Sequence, residues 1–178
     1  MKFSKVANIC KKSKCIYLYN YITSTATQWL GNGSAMYRLD GMPYLTPDEL
    51  LALWSIPEKN WLDYGRTEKD MPSNINFIDN AGIPIKKHSL SVGWKGESFQ
   101  LFEDTTGIYA INEIYLAPFT DNLDYIEYHR QPNQGGGFLL GVAVGLGLQA
   151  VIAPSMIIRD SDFTEPPPPG RRWVRFCG

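Results

Sequence analysis

Phe138–Ile158 reads FLLGVAVGLGLQAVIAPSMII, and the structure this run adopts decides what kind of protein the chain is. It carries no charged residue and is long enough to cross a bilayer as a helix. Gly137, Gly141 and Gly145 also fall at the four-residue spacing by which small residues let membrane helices approach one another. Against a helix, Leu140, Val142, Val144, Leu146 and Leu148 alternate with Gly141, Ala143, Gly145, Gly147 and Gln149. Period two is the signature of a strand, and each interior glycine costs a helix in water about 1 kcal/mol. The run is therefore expected to form buried strands, with a hairpin turning near Gly145-Leu146-Gly147. A single membrane span over 138–158 is the alternative.

Upstream of this run the pattern is one of short elements. Phe3, Val6, Ala7 and Cys10 recur at helical spacing with Lys5, Lys11 and Lys12 outside the stripe, which predicts a short amphipathic helix. Cys15 to Tyr19, Ser24 to Leu30 and Ala35 to Leu39 read as a three-strand meander, broken at Gly31-Asn32-Gly33 and stopped at Asp40-Gly41. Thr46-Pro47-Asp48-Glu49 then combines an N-cap, a proline at the first helical position and an acid three residues past the cap. A capping box of this kind predicts a helix over Pro47 to Leu53, ended by Pro57. Residues 57–72 read as a charged connection with Trp61 and Tyr64 as anchors. Further strands are expected at Ile75–Ile78, Ser89–Trp94, Phe99–Phe102, Ile108–Ile111 and Asp124–His129, with Asn112 capping a second helix over Glu113–Pro118. The fold class is thus α+β, antiparallel strands in meanders with two or three short helices. Residues 1–159 form one domain, and 160–178, with Pro166 to Pro169, read as a proline-rich tail.

Composition excludes several classes of function. At 178 residues and 44% hydrophobic, the chain can bury a sizeable core. A net charge of −1 provides no overall field for nucleic acid or an acidic membrane. The distribution is uneven, however: Lys2 to Lys14 holds five lysines and no acid, whereas Asp40 to Asp79 is mainly acidic. Three cysteines, Cys10, Cys15 and Cys177, match neither a disulfide framework nor a zinc pair. The basic start lacks the apolar stretch of a secretion signal, so the expected location is cytoplasmic.

No catalytic constellation can be assembled from the residues. His88 and His129 are the two near-neutral acid–base groups, each beside a lysine or arginine and each expected at the surface. Gly31-Asn32-Gly33-Ser34 lacks the lysine and the following helix of a phosphate loop, so it reads as a hairpin. Asp48 with Glu49, and Asp121 with Asp124, are accounted for by capping and turn chemistry. The expectation is a non-catalytic protein without cofactor or metal. Tyr17, Tyr19, Tyr21, Trp29, Tyr37 and Tyr44 are numerous enough to build either a base-stacking platform or an ordinary core.

Two resemblances follow from particular residues. Trp29 to Tyr37 (WLGNGSAMY), Gly41 to Leu45 (GMPYL), Tyr115 to Pro118 (YLAP) and Gln149 to Pro154 (QAVIAP) resemble a family of small proteins carried by phages and prophages of gut bacteria. The resemblance spans roughly Phe3 to Ile158 and implies a phage accessory protein, without an activity to carry over. The order of elements, with Ile108 to Leu116 as a strand running into a helix and Ala150 to Met156 as a closing strand, is similar to one domain of a DNA sliding clamp. That likeness implies a helix offering lysines to DNA phosphates, here Lys5, Lys11, Lys12 and Lys14, since phosphate contacts need charge more than fine geometry. It also implies DNA or a replication or recombination protein as partner, and a homo-oligomer if DNA is to be encircled.

Overall fold

The computed structural model describes residues 1–21, 27–71, 82–120, 125–132, 138–145 and 147–158. In chain order these form α1 (Phe3–Ser13), β1 (Cys15–Tyr21), β2 (Thr27–Gly31), β3 (Ala35–Arg38), α2 (Pro47–Leu53), a 3-10 turn (Glu58–Asp63) and β4 (Gly65–Asp70). Then come β5 (Ile83–Pro84), β6 (Lys86–Trp94), β7 (Glu97–Asp104), β8 (Gly107–Asn112) and two 3-10 turns (Glu113–Tyr115, Ala117–Phe119). The last strands are β9 (Ile126–Pro132), β10 (Phe138–Val144), β11 (Gly147–Ile152) and β12 (Met156–Ile158).

Among its described residues the glycine-studded run forms the strands β10, β11 and β12 and no helix, and the reading of 138–158 as a membrane-spanning helix falls. No helix among the described residues is long and apolar enough to cross a membrane. β10 and β11 form the expected hairpin, Val144 opposite Gly147, with Gly145 at φ +65° where a side chain would be strained. The strict alternation does not survive the turn. Val142 pairs with Ala150 and Ala143 with Leu148, so Gln149 is an extra, bulged residue. The bulge places Leu148 on the opposite face of the sheet from Leu140 and Val142, over Gly141, where its Cδ1 would lie 3.1 Å from an added Cβ.

Eight strands make the larger sheet, in the order β4-β1-β2-β3-β11-β10-β9-β5, and four make the smaller, β12-β8-β7-β6. All pairings are antiparallel except β4 with β1. One face of the larger sheet presents Ile16, Leu18, Leu30, Tyr37, Leu140 and Ile152 to α1, α2 and the smaller sheet. Val6, Ile9 and Cys10 of α1, Leu50 and Leu51 of α2, and Phe102, Tyr109 and Ile111 of the smaller sheet join them in one buried cluster. Each fully buried leucine or isoleucine stabilises that cluster by roughly 1.5–3 kcal/mol.

Two local expectations are corrected. The connection over 57–72 contains a 3-10 turn and β4, which pairs in parallel along the whole of its length with β1. The second helix is instead two consecutive 3-10 turns, held by bonds from Leu116 N to Glu113 O and from Phe119 N to Leu116 O, 3.0 Å each. Pro118 has no N–H to continue an α-helix and disfavours the helical conformation at Ala117. Asn112 keeps its capping role, its Oδ1 accepting from Ile114 N at 3.1 Å. The strand-into-helix step over Ile108 to Leu116 on which the clamp resemblance drew is thus β8 running into a 3-10 turn. The expected strand at Ile75–Ile78, the acids Asp121 and Asp124 and the proline-rich tail lie outside the described residues.

Candidate nucleic-acid interface

The α1 helix is positioned by its apolar stripe: Val6, Ala7, Ile9 and Cys10 are buried against β1, β2 and the 3-10 turns. Its start is fixed by Lys2 N donating to Pro118 O at 2.8 Å. Its end is closed by Lys14, whose left-handed backbone (φ 52°) aims its N–H at Cys10 O and Lys11 O. This stripe dictates which lysines remain outside.

Lys5, Asn8 and Lys12 lie along one exposed row of α1, and the helix carries no acidic residue. Neither Lys5 nor Lys12 has an ion pair among the described residues. The other two candidate lysines have intramolecular work. Lys11 Nζ donates to Trp54 O at 3.1 Å, at the negative end of α2. Lys14 Nζ stands 3.4 Å from Asp63 Oδ2, an exposed pair that solvent screens. The structure thus brings Lys5 and Lys12 together on one row and sets Lys11 and Lys14 beside α2 and the turn that follows it.

Next to Lys12 is a pocket of about 210 Å3 lined by Ile9, Lys12, Ser13, Asn32, Glu97, Asn112, Ile114 and Tyr115. It gathers the end of α1, the β2–β3 turn, the start of β7 and the first 3-10 turn after β8. Sequence reading singled out Lys12 alone as a ligand-binding residue here. Asn32 and Asn112 were legible only as turn and cap residues, because nothing in the chain order marks them as neighbours. A second, more open groove of about 480 Å3 runs between α1 and α2 over Phe3, Ala7, Met42, Leu53 and Trp54.

Cys10, His88, His129, Asp48 and Glu49 are engaged elsewhere in the fold. Burial, with Cys15 nearby, pushes the Cys10 thiol up to about 12, which removes it as a nucleophile at neutral pH. His88 Nε2 lies 3.1 Å from Glu103 Oε2, and His129 Nε2 lies 3.3 Å from Glu127 Oε2. His129 is less exposed than expected, its side chain retaining 12% of its surface. Asp48 pairs with Arg66, and Glu49 closes the capping box, so the two carboxylates face different partners. Of the aromatics, Tyr37 is wholly buried and Trp29 is 2% exposed, which leaves half-buried Tyr17, Tyr19 and Tyr21 along β1, the first two stacked, and Tyr44 exposed.

No protein-family model, curated protein or solved structure matched the chain.

Proposed function

We propose that the protein is a non-catalytic phage accessory protein that binds DNA through the Lys5–Asn8–Lys12 row of α1. The observation that carries this reading is the pair of exposed lysines, unpaired among the described residues, on a helix without acids. On a chain of net charge −1, general electrostatic attraction would not produce binding, so any affinity must come from such a local patch. Seven residues of helix separate the two ammonium groups by roughly 10 Å along the axis, a spacing that lets both meet one backbone.

Fluorescence anisotropy with a labelled short duplex, titrated over a range of salt concentrations, tests it. Binding should weaken as salt rises. Each lysine neutralised should lower the slope of log K against log salt by about 0.9, so Lys5→Gln with Lys12→Gln should lower it by roughly two. Wild-type protein that fails to bind at low salt, or a double variant with an unchanged slope, overturns the proposal.

A further inference from the structure

The pocket beside Lys12 has a chemistry that the lysine row alone does not explain. Asn32 Oδ1 accepts from Ser34 N at 3.1 Å and from Ala35 N at 3.2 Å, and Asn112 Oδ1 accepts from Ile114 N at 3.1 Å. Each carboxamide is therefore locked by its oxygen, which fixes where its NH2 group lies. The side-chain bonds of both asparagines among the described residues run through Oδ1, and both residues line the same pocket. Two pre-oriented carboxamides thus share the pocket lining with the basic Lys12, the exposed acidic Glu97 and the aromatic Tyr115.

This set does not suit a simple anion. Glu97 repels one, and the pocket sits at the negative end of α1. A flat, neutral group with acceptors for the carboxamides and Lys12, donors for Glu97 and a π-face suits this mixture of polar, apolar and aromatic lining residues. A nucleobase has that chemistry, and a volume of about 210 Å3, below the usual range for drug-sized ligands, suits one base. Resting on the function proposed above, we infer that the pocket receives one unstacked base of a single-stranded nucleic acid whose backbone follows the α1 row. Lys12 is shared, contacting the phosphate next to the captured base.

Asparagine-to-aspartate substitution isolates the claim, because aspartate keeps the capping oxygen and replaces the donor with an acceptor. Asn32→Asp and Asn112→Asp should leave the thermal midpoint within a few degrees of wild type. Anisotropy is then read with three probes of equal length and charge: a single-stranded DNA, the same DNA abasic throughout, and the corresponding single-stranded RNA. Wild type should bind the base-bearing DNA at least tenfold more tightly than the abasic one, and the Asp variants should lose that ratio. Because the two DNA probes have the same charge, repulsion by the new carboxylate cancels in the ratio. The RNA arm reports whether the sugar matters, equal affinity supporting a contact limited to base and phosphate.

Wild type that does not distinguish abasic from base-bearing DNA, or Asp variants that retain the ratio, overturn the pocket assignment. Duplex binding together with either of those results leaves the α1 proposal standing. Failure to bind any nucleic acid overturns both. A variant that unfolds is replaced by Tyr115→Leu, which should lose the same ratio.

Discussion

Gly31 shows how little space the core leaves at a single residue. A Cβ added there would lie 2.2 Å from Ala35 O and 2.8 Å from Met36 Cγ, while Cys10 Sγ approaches Gly31 O from α1 at 3.5 Å. The obstacle is backbone, so β2 and β3 would have to separate. Gly31→Ala should therefore destabilise the protein by about 2–3 kcal/mol, in the range of an overpacked core, measured as a lower urea midpoint. A variant as stable as wild type would mean that the β2–β3 turn yields freely. From sequence, Gly31 was legible as a turn residue, but its close approach to Ala35 and Met36 depends on the register of β2 against β3, which composition does not report. The same holds for Gln28, which is 4% exposed and reads as one polar residue in a strand. In the fold its Nε2 donates to Leu45 O at 2.8 Å while its Oε1 accepts from Leu45 N at 3.1 Å.

That two-point latch acts at the scale of an element, because Leu45 immediately precedes the N-cap of α2. Thr46 accepts from Glu49 N, and the Glu49 carboxylate accepts from Thr46 N at 2.7 Å, which completes the capping box read from sequence. These backbone and hydroxyl bonds from Thr46 hold the Glu49 carboxyl below its ordinary range. α2 is only seven residues long and could not persist alone, so its cap and latch decide whether Leu50 and Leu51 reach the core. Thr46→Ala should cost about 1 kcal/mol. Gln28→Leu should cost more, about 1–3 kcal/mol, because it leaves both backbone groups of Leu45 without partners. Chemical denaturation of the two variants ranks them, and a larger loss at Thr46 would overturn the latch argument. Elements with strong local signals were legible in this way: α1, the meander, α2 and the β10–β11 hairpin. β4 was not, because Gly65-Arg66-Thr67-Glu68-Lys69-Asp70 has no apolar alternation and owes its conformation to pairing with β1. Nor was the Gln149 bulge, since a one-residue slip reverses the faces of a strand without altering its composition.

At the scale of the molecule, the question is what joins the two sheets. Phe102 of the smaller sheet meets Tyr128 of the larger edge-on, ring centroids 4.9 Å apart, within the shared cluster. A polar tie sits beside it. Asp104, at the end of β7 and with 5% of its side-chain surface exposed, receives Thr106 N at 2.7 Å, Thr106 Oγ1 at 2.6 Å and Tyr109 OH at 3.1 Å. Arg130 reaches from β9 to Asp104 Oδ2 at 3.2 Å and to Thr106 Oγ1 at 3.0 Å, so the tie crosses from sheet to sheet. Burial alone would raise the Asp104 carboxyl. The bonds from Thr106 and Tyr109, together with the Arg130 charge, outweigh it and hold the carboxyl below its ordinary range. A carboxyl with a lowered folded pKa contributes stability above its unfolded value, near 3.9, and that stability is lost as pH falls through the folded value. Asp104→Asn should therefore cost about 2 kcal/mol at neutral pH, where a charged acceptor is exchanged for a neutral one facing Arg130. The gap between variant and wild type should begin to narrow as the pH falls below about 4 and close only below the lowered folded value, where the wild-type carboxyl takes up its proton. Urea unfolding followed by tryptophan fluorescence and by far-ultraviolet circular dichroism, repeated across that pH range, reads both quantities. Trp29 lies in the larger sheet and Trp94 in the smaller, so coincident transitions at neutral pH are the expected mark of one shared core. A gap that stays constant into acid would show that Asp104 contributes shape rather than charge, and separated transitions would show that the sheets unfold as independent units.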